Sequence, residues 1–95
     1  MVKGSELVGK KVVTSDGYFL GEVEGIEVDA CKWFVTHLRI LLSKQAVNDL
    51  RLEPPILWDV VLSLPTSFVR EFGAQISLNI HFAEVTAVSN REVKH

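Results

Sequence analysis

The stretch Lys11-Val12-Val13-Thr14-Ser15-Asp16-Gly17-Tyr18-Phe19-Leu20-Gly21-Glu22-Val23-Glu24-Gly25-Ile26-Glu27-Val28-Asp29 reads as two β-strands joined by a tight turn. Residues 11–14 make a short strand. Asp16-Gly17 then supplies the positive φ that a tight hairpin turn needs. A long second strand covers residues 18–29, and its phase is informative. Phe19 and Val23 share one parity, Ile26 and Val28 the other. Side chains alternate along a strand, so all four reach one face only if the strand carries an extra residue. The sequence therefore predicts a β-bulge at Glu24-Gly25. Phe19, Val23, Ile26 and Val28 then face the core, and Glu22, Glu24, Glu27 and Asp29 form an outward acidic stripe.

Working outward, Ala30-Cys31-Lys32 is a three-residue turn, and residues 33–42 form the third strand. Phe34, Leu38, Ile40 and Leu42 alternate inward; Trp33, Val35, His37 and Arg39 alternate outward. This register sets Asp29 opposite Trp33, Glu27 opposite Val35, Glu24 opposite His37 and Glu22 opposite Arg39. Ser43 is placed to cap a short helix over 44–50, and Pro54-Pro55 ends that excursion. Residues 56–64 form the fourth strand: Ile56, Trp58, Val60, Leu62 and Leu64 line one face, with Leu57, Asp59, Val61 and Ser63 on the other. Pro65 stops it, and 66–72 reads as a turn or one helical turn. Strands over 75–78 and 82–88 follow, and 1–5 and 90–95 read as flexible ends. About six short strands with one small helical insert predict a single mostly β domain over 1–95, a small barrel or a sandwich.

The chain has 95 residues, 47% of them hydrophobic, enough for one core. A domain of this size buries a modest share of its surface, so a second copy covering what the core cannot use, a homodimer, is expected. The net charge is −2, and Lys10-Lys11 is its only adjacent cationic pair. Direct nucleic-acid binding, which needs a basic stripe, is therefore not expected. Cys31 is the single cysteine, and Met1-Val2-Lys3-Gly4-Ser5-Glu6 holds no apolar stretch of the kind secretory signals carry. Both favour a reducing, cytoplasmic setting. The densest apolar run, 56–64, is interrupted by Asp59 and too short to span a bilayer, so no membrane insertion is expected.

No motif of catalysis stands out. His37, His81 and His95 have no partner at ligand spacing, apart from Cys31 six positions before His37. No metal or cofactor is expected. The acidic stripe reads as a solvated face. There is no Gly-x-Ser-x-Gly elbow and no phosphate-cradling loop; Gly21 and Gly25 fit a strand as bulge formers. No catalytic residue is expected, and the chain reads as non-enzymatic. The oddity is four outward apolar residues, Trp33, Val35, Leu57 and Val61. They form either a protein interface with an aromatic anchor or a surface covered by the chain's own helix, its ends or its other half.

Two segments resemble the PRC-barrel family. Residues 7–23, Leu-Val-Gly-Lys-Lys-Val-Val-Thr-Ser-Asp-Gly-Tyr-Phe-Leu-Gly-Glu-Val, are similar to its opening: a glycine, a short β run, an Asp-Gly turn, then Leu-Gly-x-Val. Residues 62–78, Leu-Ser-Leu-Pro-Thr-Ser-Phe-Val-Arg-Glu-Phe-Gly-Ala-Gln-Ile-Ser-Leu, are similar to its later pattern around Leu-Pro-x-x-x-Val and apolar-Gly-Asp. Ala74 departs from it, standing where the family carries Asp; that turn is then looser, or held by Thr66 or Ser67. The resemblance implies a small antiparallel β-barrel and a docking role. It is closest to short, stand-alone archaeal members. That implies a cell-division adaptor working with SepF and FtsZ and recruited to the division site, binding itself, another PRC-barrel protein or SepF. The alternative it implies is RNA metabolism or ribosome assembly of the RimM type.

Overall fold

The computed structural model describes residues 4–52 and 59–94. In chain order the elements are α1 (Gly4–Leu7), β1 (Lys11–Val13), β2 (Phe19–Asp29), β3 (Phe34–Leu42), α2 (Lys44–Asp49) and β4 (Asp59–Pro65). A 3-10 turn (Thr66–Phe68), β5 (Val69–Phe72), β6 (Ile76–Leu78), a second 3-10 turn (Phe82–Glu84), α3 (Val85–Val88) and β7 (Asn90–Lys94) complete it. One seven-stranded sheet runs β5-β6-β1-β2-β3-β4-β7. The β-rich reading holds, but the sheet is mixed, because β1 and β6 run parallel. It is also open: among the described residues no pairing joins β5 to β7.

Alternating apolar residues put one face of the sheet into a single core. Val12, Leu20, Val23, Ile40, Leu62, Leu64, Ile76 and Leu78 are fully buried there. The three short helices each add a residue to it: Leu7 from α1, Ala46 from α2 and Val85 from α3. Ser43 caps α2 by accepting a hydrogen bond from the Ala46 N–H at 3.0 Å, as its position in the sequence predicts. Ala46 is buried, with Val47 and Leu50 packed beside it. The helix ends where Arg51 turns left-handed at φ +57°.

The predicted bulge is present. Val23 pairs with Ile40 and Gly25 with Arg39, leaving Glu24 as the extra residue. Two further irregularities account for the exposure of Phe19 and Phe34, both expected in the core; Val28, the third expected core residue that is exposed, keeps its inward side opposite Val35 near the hairpin tip. In β2, Val13 pairs with Phe19 and Val12 with Gly21. The residue between, Leu20, turns inward, and Phe19 is left largely exposed. In β3, Glu27 pairs with His37 and Val28 with Val35, so Thr36 is a second extra residue. Beyond it the faces exchange: Val35 joins the inner side, and Phe34, opposite Asp29, moves outward.

The connection between these strands is also one residue longer than expected. The Asp29 carbonyl accepts the Trp33 N–H at 2.6 Å, and Asp29 pairs with Phe34 rather than Trp33. Trp33 therefore sits in the turn, not on the strand. The expected charge pairs shift with it. His37 lies opposite Glu27, and Leu41 rather than Arg39 lies opposite Glu22.

The C-terminal third departs most from expectation. Val69–Phe72 is a strand rather than a helical turn, and the strand expected over 82–88 is helical. Phe82, Val85 and Val88 recur every third residue, so one helical face carries all three onto the core. The Glu84 carboxylate accepts the His81 N–H at 3.0 Å, fixing the first turn. Asn90–Lys94, expected as a flexible tail, pairs along β4. The turn at Ala74 is held neither by Thr66 nor by Ser67. Gly73 N–H bonds Gln75 O at 3.1 Å, and Lys10 Nζ donates to Gly73 O at 2.7 Å while lying over the Phe72 ring. Pro54, Pro55, Ile56, Leu57 and Trp58, with the start of the fourth strand, lie outside the described residues.

Candidate docking surface

The β2–β3 hairpin outruns the core. Leu38, Ile40 and Leu42 are buried, but the last rungs of the ladder have no layer beneath them. Three large apolar side chains are exposed there: Trp33 at 82%, Phe34 at 50% and Val28 at 46% of their surface. The Thr36 bulge contributes directly, because it turns Phe34 to the side where nothing covers it.

The backbone of this tip is well held. The Asp29 carboxylate accepts the N–H groups of Cys31 at 2.9 Å and Lys32 at 3.2 Å. With the Asp29 carbonyl bonded to Trp33 N–H, the turn is closed from both ends. Trp33 has φ +56°, a left-handed conformation that a bulky residue seldom adopts. Below it, Thr66 Oγ1 donates to Val35 O at 3.0 Å and ties the strand to the end of β4.

The four sequence-predicted interface residues do not form one patch. Trp33 is at the tip. Val35 is half-buried on the inner side. Val61 stays on the outer face, opposite Leu41 and Glu92, yet is only 1% exposed within its own chain. Leu57 lies outside the described residues. Phe34 and Val28 are exposed with Trp33 instead: unbroken alternation hides Phe34 by turning it inward, whereas Val28 does lie on the inner side, opposite Val35, and is exposed because it stands beyond the core.

The outer face of the sheet is polar and internally paired. Arg39 bridges Glu24 at 3.4 Å and Glu92 at 3.0 Å. Partial burial lowers the Arg39 pKa, but the carboxylates of Glu92 and Glu24 more than offset this and it is raised. Glu27 accepts the Ser63 hydroxyl at 2.9 Å and lies 3.7 Å from His37 Nδ1. Glu24 and Glu27 of the acidic stripe thus pair with neighbouring strands, while Asp29 holds its own turn. Among the described residues no three His, Cys, Asp or Glu side chains converge as metal ligands would.

A second polar cluster joins the β1–β2 turn to the segment around His81. Ser15 Oγ lies 3.1 Å from His81 Nδ1. The Asp16 carboxylate takes the Thr14 hydroxyl and, at 3.1 Å, the Phe82 N–H. The Thr14 hydrogen bond leads in holding Asp16 below its ordinary pKa. Tyr18 stacks on Phe82 with ring centroids 4.0 Å apart and donates to Asp49 at 2.5 Å. Burial and the Asp49 carboxylate push the Tyr18 phenol up to about 12, while the same hydrogen bond lowers Asp49. Thr14 braces the turn itself, while Ser15, Asp16 and Tyr18 each bond another segment, so the cluster acts as a clasp between the β1–β2 turn, α2 and the 3-10 turn over Phe82–Glu84.

No protein-family model matches the chain, and no curated protein is similar enough to match it. No helix among the described residues is long and apolar enough to cross a membrane.

Proposed function

We propose that this chain is a non-enzymatic docking module that presents the β2–β3 tip to another protein. The observation that carries the reading is Trp33, 82% exposed on a turn whose backbone is fixed by Asp29. A large aromatic carried in water on a fixed backbone needs little main-chain ordering on binding and suits an anchor. Three side chains at a convex tip are small beside the roughly 800 Å² per partner of a standard interface. The tip therefore acts as a knob that enters an apolar cleft on the partner.

In its finer form the proposal follows the sequence resemblance: a PRC-barrel-type, cytoplasmic, homodimeric adaptor that works with SepF and FtsZ at the archaeal division site. The β-rich, single-core fold is compatible with a docking domain, and the acidic chain suits a protein partner better than a nucleic acid. Purified SepF and FtsZ titrated against wild type and Trp33→Asp test it, with sedimentation equilibrium reporting self-association. Binding or dimerisation lost in the variant supports the tip. Binding unchanged by Trp33→Asp removes the tip from the interface. No binding to either protein removes the division role.

A further inference from the structure

We infer that the hollow between β4, β7 and α3 binds a small carboxylate carried on a short apolar body. The hollow has a volume of about 190 Å³, is half-open, and is lined by Leu52, Leu62, Thr86, Ser89 and Arg91. Its charge comes from the strand register. Arg91 pairs with Leu62, a core residue, and so lies on the inner side of the edge strand β7. Its neighbour Glu92 is turned to the outer face, where it holds Arg39 at 3.0 Å. Among the described residues the Arg91 side chain has no ion pair or hydrogen bond. Arg91 is exposed, so its guanidinium stands at the mouth of the hollow, above an apolar floor and without a carboxylate partner among the described residues.

The chemistry of the lining selects the ligand. A guanidinium fork takes a carboxylate through two parallel N–H bonds. The Thr86 hydroxyl is exposed and free of partners among the described residues, and can donate to the same group. Ser89 Oγ already donates to Val85 O at 2.7 Å, so it adds no second donor. One cation and one hydroxyl match a monoanion; a phosphate dianion would be left with oxygens facing Leu62 and Leu52. The hollow is smaller than the roughly 300 Å³ at which drug-sized sites begin, so the apolar body is a few carbons long. A free short-chain acid and the C-terminal residue of a peptide share this chemistry.

Isocaproate titrated into the isotope-labelled chain and followed by amide chemical shifts tests the site. Saturable shifts at Thr86, Ser89 and Arg91 are expected, with a dissociation constant on the order of millimolar. The uncharged isostere isocaproamide should bind about tenfold more weakly, as should isocaproate to Arg91→Gln. Arg91→Lys keeps the charge but loses the fork and should fall between. Should Arg91→Gln loosen β7, Thr86→Val, which leaves every strand intact, is expected to weaken binding a few-fold. N-acetyl-leucine binding more tightly than isocaproate identifies a peptide C-terminus as the source; the reverse order identifies a free acid. Acid and amide binding alike, shifts mapping elsewhere, or no saturable shifts would overturn the site. Trp33 plays no part in it, so its failure leaves the docking reading as it stands.

Discussion

The two ends of the β2–β3 hairpin share one hydrogen-bonded ladder and meet opposite demands. At the base, Gly21 pairs with Leu42, Leu20 O accepts the Ser43 N–H at 2.8 Å, and Leu20, Ile40 and Leu42 are buried. At the tip, Val28, Trp33 and Phe34 stand in water. Each end has its own irregularity, Leu20 at the base and Thr36 at the tip. The first turns a leucine into the core; the second turns a phenylalanine away from it. One device, an inserted residue, serves stability at one end and presentation at the other.

The base carries the largest expected effect. A Cβ on Gly21 would lie 2.0 Å from Leu41 O, a backbone atom that cannot rotate away. Gly21→Ala should therefore force the strands apart and cost about 3 kcal/mol, measured as a fall in the denaturant midpoint. Gly25, four residues on in the same strand, has only Arg39 Cδ at 3.9 Å from such a Cβ. Gly25→Ala should change stability by less than about 1 kcal/mol. Equal losses at both positions would mean that the close approach at Leu41 does not distinguish base from bulge.

The clasp between β1 and α2 gives an intermediate effect with a pH signature. Tyr18→Phe removes the bond to Asp49 and should cost about 1 kcal/mol at neutral pH. Tyr18 titrates near 10.0 when free and at about 12 in the fold. Its contribution is therefore complete below pH 10 and is lost as the pH rises towards 12. Tyr18 is the only tyrosine, so tyrosinate absorbance reads this group alone, and Asp49→Asn should lower its midpoint. Asp16 and Asp49 move the other way. Both are held below 3.8, so their contributions are present above that pH and are lost as it falls through their folded values. Equilibrium unfolding across both limbs should show Tyr18→Phe flattening the alkaline fall while keeping an acid fall. An alkaline limb unchanged in Tyr18→Phe would place the titrating group elsewhere.

The same contrast explains what was legible in the sequence. The base is readable in part: Asp16-Gly17 marks the turn, Ser43 the cap and the parity change the Glu24 bulge, but the Leu20 irregularity leaves no mark, and Phe19 reads as the inward residue in its place. The Thr36 bulge left no such mark, since Phe34 and Leu38 already fit unbroken alternation. Trp33 reads as outward on the strand, covered or not, and is exposed in the turn; Phe34 reads as inward but is turned out, Val28 keeps its inward side yet lies beyond the core, and Val61 reads as part of a surface it does not reach. In the C-terminal third, short apolar runs fit period two and period three equally, so 82–88 reads as a strand although it is helical. The strand β7 was hidden by its charges. Asn-Arg-Glu-Val-Lys has the polar composition that edge strands use to discourage further pairing, and also that of a tail. The inward turn of Arg91 follows from pairing with Leu62 and has no signature in the sequence.

The smallest expected effect on stability falls at the tip, and its sign separates function from folding. Trp33 is exposed, yet its backbone sits at φ +56°, where a bulky side chain costs about 1–2 kcal/mol and glycine almost nothing. Part of that gain is returned because glycine has more freedom to lose on folding. Trp33→Gly should therefore leave the chain equally stable, or up to about 1 kcal/mol more stable. Trp33→Asp, with a short polar side chain that tolerates this region, should fall within about 0.5 kcal/mol of wild type. If Trp33 is a docking anchor, both variants keep the fold and both lose the partner, so stability and binding move apart. If Trp33 instead holds the hairpin together, both variants destabilise and the thermal midpoint falls with them. Thermal unfolding beside the titrations with SepF and FtsZ decides between the two. A drop in midpoint common to Trp33→Gly and Trp33→Asp would make the tip a structural element continuous with the base.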